Sequence, residues 1–224
     1  MKRSQINRII AESIDFLDKM NFQLPPFFFW TLADWADKGS EYDEIRDCKL
    51  GWDVTDFGLG DFEATGLVAM TIRNGILNSG QYPKSYAEKC LIVRGRQVTP
   101  MHFHFYKMED IVNRGGKELC IECYNADAQE QLADTPVTVC VDGRRFRVKA
   151  GAVLRLKPGE SITLPPRQYH TFWSEGGLTL VGEVSKVNDD NEDNRFLTAP
   201  ARFSEIEEDE APRYLLFSDI PRGR

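Results

Sequence analysis

Only three histidines occur in this 224-residue chain, and their spacing is that of a single metal site. His102 and His104 form a His-x-His pair within Pro100-Met101-His102-Phe103-His104, and Glu109 follows five residues later. His170 closes a second run, Leu164-Pro165-Pro166-Arg167-Gln168-Tyr169-His170. On a strand, residues two apart share a face, so both imidazoles of the pair point one way and Phe103 the other. A later strand can carry His170 across to them, and Glu109 then completes three nitrogens and one oxygen around a divalent ion. A lone histidine is usually an ordinary polar or half-buried residue. Three in this order, with none spare and a carboxylate beside them, favour the metal. Nitrogen and oxygen donors without thiolate suit manganese, iron, cobalt or nickel, and availability favours the first two.

Other chemistries find less support. The chain has no glycine-rich phosphate loop and no Gly-x-Ser-x-Gly elbow, and a Ser–His–Asp triad would need a histidine the metal already uses. Cys120-Ile121-Glu122-Cys123 has the Cys-x-x-Cys spacing, yet on a strand its thiols face opposite ways, and no second pair exists for a four-thiolate zinc site. Five cysteines, at 48, 90, 120, 123 and 140, are an odd number and do not form a disulfide framework. The acidic run Asp189-Asp190-Asn191-Glu192-Asp193-Asn194 lacks the turn glycine and closing glutamate of an EF-hand loop, and it reads as a solvated loop, as does Glu205 to Glu210.

The elements that must position these residues are mostly short strands. Residues 4–20 carry Ile6, Ile9, Ile10, Ile14, Leu17 and Met20 at helical spacing, with Ser4 as the expected N-cap. Pro25-Pro26 stops that helix, and Thr31-Leu32-Ala33-Asp34 has the pattern of a capping box for a short second one. From about residue 50 the expected strands are 66–73, 85–94, 97–107, 118–125, 136–141, 145–149, 152–156, 161–164, 170–174 and 178–186, with a final one at Arg213–Phe217. Asp142-Gly143 and Asn74-Gly75 are hairpin-turn signals. Short strands without intervening helical pattern indicate an antiparallel sandwich or barrel. The expected organisation is an N-terminal helical segment, 1–48, packed on a β-barrel domain, 49–224. A net charge of −7 and a pI near 5.1 argue against nucleic acid as a partner. No apolar run approaches the roughly 20 residues that span a bilayer, and no signal peptide is evident, so a cytoplasmic protein without membrane contact is expected.

The two histidine runs resemble the motifs of the cupin superfamily. The first reads Gly95, His102, His104, Glu109 and then Gly115 or Gly116, with one extra residue after Gly95; the second reads Gly159, Pro165, Arg167, His170 and Ser174. Arg167 stands where the family has a turn glycine and Ser174 where it has asparagine, so a differently shaped turn is expected there. The resemblance implies a mainly β fold, a double-stranded β-helix or jelly-roll barrel. Over a longer stretch the chain resembles the D-lyxose ketol-isomerases, on Leu50-Gly51-Trp52-Asp53-Val54-Thr55, Tyr86-Ala87-Glu88-Lys89, Thr99 to His104, Glu109 to Gly116, Leu164-Pro165-Pro166, Gly182-Glu183-Val184-Ser185 and Val187-Asn188-Asp189-Asp190. That implies a manganese-dependent interconversion of D-lyxose and D-xylulose, with D-mannose and D-fructose as a second pair, in a homodimer.

Aldose–ketose isomerisation moves a proton between adjacent carbons, so it needs a base and a means of stabilising an enediol or enediolate. Glu183, on the expected strand 178–186, is the first choice for the base, and Glu109 released from the metal is an alternative. Lys89 is a candidate to steer the sugar oxygens or assist the transfer, and Lys107 and Asp190 are candidates to bind hydroxyls. The same four metal ligands also suit a cupin iron dioxygenase, an isomerase of phosphorylated hexoses, or a non-enzymatic sugar-binding cupin. A mobile base and several polar groups around the metal are what separate the isomerase from these.

Overall fold

The computed structural model describes residues 1–198 and 201–222; the final two residues of the expected barrel span, and 199–200 within it, lie outside. Three α-helices, α1 (Arg3–Lys19), α2 (Leu32–Trp35) and α3 (Asp43–Asp47), precede twelve strands. These are β1 (Gly51–Thr55), β2 (Leu67–Arg73), β3 (Tyr86–Val93), β4 (His102–His104), β5 (Glu109–Ala126), β6 (Leu132–Ala133), β7 (Val137–Val141), β8 (Arg144–Val148), β9 (Val153–Leu156), β10 (Ser161–Leu164), β11 (Gln168–Lys186) and β12 (Asn194–Phe196). Among the described residues they form one antiparallel sheet, in the path β1-β2-β3-β11-β5-β10-β7-β8, with β4 and β12 added beside β11 and with β6 and β9 beside β5. The mainly β, cupin-type fold with an N-terminal helix is therefore as expected.

Two long strands organise the sheet. The spans expected at 170–174 and 178–186 are one 19-residue strand, β11, and the span expected at 118–125 starts already at Glu109 as the 18-residue β5. Paired glycines explain the difference. Gly115 and Gly116 in β5 (φ +144° and +95°) and Gly176 and Gly177 in β11 (φ +87° and +146°) let each strand bend without ending, with a register shift between Glu175 and Thr179. The stretch 97–107, expected as one strand, forms a strand only at His102–His104, with an isolated bridge from Val98 to Thr65. Strands β1, β6 and β12 lie outside the expected spans, and Arg213–Phe217 contributes a single bridge, Leu216 to Trp52, instead of a strand.

Turn chemistry explains several other details. Asp142 and Gly143 both have positive φ (48° and 80°), as a two-residue hairpin between β7 and β8 requires. Asn74-Gly75 does not close a hairpin; it opens the loop from β2 to β3, and Asn74 is buried. Arg167 adopts φ +61°, so the turn keeps a glycine-like backbone, with the Arg167 amide donating to the His104 carbonyl at 2.8 Å. The guanidinium covers Phe103 at 5.1 Å and pairs with Glu130, which offsets the strain.

Helix α1 lays Ile6, Ile9, Ile10 and Leu17 against Trp52, Val68, Met70, Ile92 and Leu180 of the sheet. Its N-cap is Lys2, not Ser4. The Ser4 amide and hydroxyl donate to Asp209, and buried Arg3 pairs with Glu208 and Asp219. The acidic residues of 205–210 are exposed, as expected of a solvated loop, and they also serve the positive end of the helix. The second core fills the sheet interior with Leu91, Ile111, Ile121, Cys123, Ile162, Phe172 and Val181. Cys123 belongs to it, whereas Cys120 faces Glu118, Arg155 and Glu175 on the other side, and all five cysteines are free.

Candidate metal centre

Strand β4 is three residues long and is held on both edges: His102 lies opposite His170 of β11 and Phe196 of β12, and His104 lies opposite Asn194. Alternation sends Phe103 into packing against Tyr169, with ring centroids 4.8 Å apart, and turns both imidazoles to the other face. The His102 ring lies 4.2 Å from that of His170 and 5.1 Å from that of His104, and one ligand atom of each histidine lies within 4.8 Å of the others. Glu109, the first residue of β5, brings Oε1 to 3.1 Å from His170 Nε2 and 3.4 Å from His104 Nε2. The four expected ligands therefore meet.

Their protonation suits a cation. His102 Nδ1 donates to the Pro100 carbonyl at 2.8 Å and His170 Nδ1 to the Gln168 carbonyl at 3.1 Å, so each Nε2 carries a lone pair. His170 Nε2 is buried and has no hydrogen-bond partner among the described residues, although the Glu109 carboxylate is beside it. Two acceptors facing each other in a buried site are unfavourable unless a cation lies between them. Burial pushes His102 well below the ordinary imidazole value, and it lowers His104 as well, with Lys107 adding to the effect. Burial works to raise Glu109, but Lys107 and His104 outweigh it and hold the carboxyl well below its usual range. All three groups are thus in the form that binds a metal. The residues present fit a divalent ion.

A second set of charges continues from Glu109. Lys107 Nζ lies 2.8 Å from Glu109 Oε2 and 2.8 Å from Glu183 Oε1, and it reaches Asn188 Oδ1 at 3.2 Å, so all three of its hydrogens have acceptors. Lys89 Nζ donates to Asn188 Oδ1 at 2.7 Å and stands 3.7 Å from Glu183 Oε1 and 3.8 Å from Asp190 Oδ1. Arg202 links Asp190, at 3.2 Å, to Asp53, at 2.8 Å. The chain of charges alternates in sign, which is how buried ions are tolerated. Burial works to raise Glu183, but Lys107 and Lys89 hold it below the usual carboxylate value. Burial likewise opposes ionisation of Asp190, and Arg202 and Lys89 overcome it and keep the carboxyl well below its ordinary value.

The two oxygens of Glu183 differ. Lys107, Lys89 and the Ser185 hydroxyl all approach Oε1, whereas Oε2 has no partner among the described residues. Glu183 lines a cavity of about 50 Å³ together with His102, His104, Glu109, Lys89, Lys107 and Asp190. His170 is not among the residues that line it and is buried beside Glu109. All eight residues expected from the sequence therefore gather at one place. Lys89, Lys107 and Glu183 are 3–6 % exposed and so are not surface charges. The acidic run at 189–194 is only partly solvated, because Asp190 turns inward and the buried Asp193 carboxylate accepts from the Tyr106 and Lys107 amides.

Sequence reasoning assigned no role to Arg202, Asp53, Asn188, Phe57 or Phe196. A signal existed for Asp53, a carboxylate within the apolar strand Gly51–Thr55, and for Asn188, which sits two residues before Asp190. Arg202 is 98 positions from the nearest of His102 and His104 and carries no local pattern; only the fold brings it in.

A relative from Escherichia coli O157:H7 described as D-lyxose/D-mannose isomerase is 50% identical over 227 residues, covering the whole of both chains. One of the same description from Serratia proteamaculans is 51% identical over 225 residues and covers 99% of each. Among solved structures, the L-ribose isomerase of Acinetobacter sp. DL28 in complex with L-ribose superposes with a TM-score of 0.63 at 15% identity, over 92% of this chain and 98% of that one. That likeness establishes the shared fold. The model of the D-lyxose isomerase family matches residues 1–220, and with relatives at half identity over the full length, this chain belongs to that family.

Proposed function

We propose that the chain, an aldose–ketose isomerase by family, interconverts D-lyxose with D-xylulose and D-mannose with D-fructose, using a divalent ion, manganese by preference, held by His102, His104, Glu109 and His170. When bound, the ion supplies a Lewis acid that polarises the two adjacent sugar oxygens and eases loss of the neighbouring carbon's proton. Glu183 is the base. Its Oε2 takes the proton from C2 of the open-chain aldose and delivers it to C1, while the O2 hydroxyl proton moves to O1. Lys89 steers the sugar oxygens in that exchange. Lys107, with its three donors engaged, keeps Glu109 and Glu183 ionised, and Asp190 accepts from a sugar hydroxyl.

The observation that carries this reading is the asymmetry of Glu183: among the described residues every donor lies on Oε1 and none on Oε2, and the residue lines the same cavity as His102 and His104. It also favours Glu183 over Glu109 as base, since Glu109 has one oxygen toward His104 and His170 and the other on Lys107. The test is Glu183→Gln, turned over in deuterium oxide beside the unaltered protein. The expected result is bound metal at full occupancy, turnover reduced by about 10³-fold, and solvent deuterium in the ketose made by the unaltered protein. Retention of all substrate hydrogen, or a Gln variant with a tenth of normal activity, would count against the assignment.

A homodimer in the cytoplasm completes the proposal. Tyr86, Met108, Val184, Leu77 and Tyr106 are exposed apolar residues gathered around Lys186, a patch suited to a second copy. Five free cysteines support a reducing compartment.

A further inference from the structure

We propose that Asn188 is a positioning residue for the proton transfer, its side-chain oxygen setting both lysines on Glu183 Oε1 so that Oε2 is left for the substrate. The inference rests on Glu183 as the base. One oxygen, Asn188 Oδ1, accepts from Lys89 at 2.7 Å and from Lys107 at 3.2 Å. The same two ammonium groups flank Glu183 Oε1 at 3.7 and 2.8 Å. Two cations this close repel, and a neutral acceptor shared between them fixes their separation without adding charge. A carboxylate in its place would compete with Glu183 for both lysines. Without any acceptor, each ammonium would be free to take both oxygens of Glu183 and close the lone pair that Oε2 offers.

Asn188 is itself fixed from behind. Its amide N–H donates to Asn74 Oδ1 at 3.0 Å, and its carbonyl accepts from Asn74 Nδ2 at 3.0 Å. Asn74 is buried at the end of β2 and also donates to the Cys48 carbonyl at 3.3 Å. This two-way amide clamp ties the segment after β11 to the β2 end, so the position of Oδ1 is set by the sheet and not by the loop. That is why Asn74, unused as a hairpin turn, is buried here.

The experiment compares Asn188→Ala, Asn188→Asp and Glu183→Gln with the unaltered enzyme, using D-lyxose and its C2-deuterated form and measuring melting temperature and bound manganese alongside. A displacement of the base by about 1 Å costs on the order of 10²-fold in rate. The expected result for both Asn188 variants is kcat lowered by about 10²-fold, KM within about threefold, manganese retained, and a larger deuterium isotope effect on kcat, because proton transfer has become the slow step. A residue that only supports the fold would lower melting temperature and leave the isotope effect unchanged. If Asn188→Ala does not fold, Asn188→Asp, of nearly the same shape, reads the same point. Normal kcat in either folded variant, or an unchanged isotope effect, overturns the proposal. An active Glu183→Gln would instead overturn the base assignment on which it rests.

Discussion

Replacing Lys107 with methionine removes the cation shared by Glu109 and Glu183 while keeping a stem of similar length in the cavity wall. Lys107 is 3 % exposed, and each carboxylate lies 2.8 Å from its ammonium. Removing one partner of a buried ion pair costs about 3–5 kcal/mol. A second route gives the same size. Two carboxylates left together without a cation cannot both stay ionised, so one takes up a proton. Protonating a glutamate of unfolded pKa about 4.3 at pH 7 costs roughly 3.7 kcal/mol, at about 1.36 kcal/mol per pH unit. The sign of the pH dependence then reverses at this site. In the unaltered protein Glu183 lies below its ordinary value, so its contribution is present above the unfolded pKa and is lost only as pH falls through the folded one. In the variant a carboxyl lies above its unfolded value, so its folded form binds the extra proton and stability falls as pH rises. The difference between the two proteins, about 3–5 kcal/mol at pH 7, should therefore shrink to about 1–2 kcal/mol at pH 5. Urea unfolding of metal-stripped protein at both pH values measures it, as midpoint times slope. A difference below about 0.5 kcal/mol at pH 7, or one that does not narrow in acid, would refute the ion-pair reasoning.

The remaining predictions concern the ligands and the assembly. Burial lowers His102 and His104 in the folded chain, so the unfolded state binds more protons below the imidazole value of about 6.5, and metal-stripped protein should lose stability as pH falls from 7 to 5, by up to about 2.7 kcal/mol per unit for the two together. A flat urea midpoint over that range would contradict their burial as neutral groups. His104→Ala should lose bound metal and turnover together, and full occupancy by elemental analysis would remove it from the ligand set. Light scattering should give twice the 25.6 kDa chain mass, and Leu77→Asp with Tyr106→Asp should halve it; a monomer in the unaltered protein would exclude the patch as a dimer face.

What the sequence made legible was local. The His102–His104 alternation, the Thr31–Asp34 capping box and the Asp142-Gly143 hairpin each depend on neighbours within a few residues, and each is present as expected. The eight site residues were found because their types are rare or out of place: the chain has three histidines in all, and Lys89 and Glu183 interrupt apolar strands. What escaped depends on the fold. Glycine pairs usually end strands, and here they bend β5 and β11 instead. Asn74 looked like a turn, because its partner Asn188 lies 114 residues away. Arg202 closes the charge chain from a segment with no pattern of its own, and Asp209 caps a helix from 205 residues away.

The most direct test of the account is ketose formation from D-lyxose by metal-stripped protein, with and without added manganese, beside D-mannose and a phosphorylated hexose. The account predicts no turnover without metal and restored turnover of D-lyxose with it, with D-mannose also converted. Turnover of D-lyxose by metal-free protein would contradict the role given to the histidines, and silence on D-lyxose with manganese bound would contradict the proposed reaction.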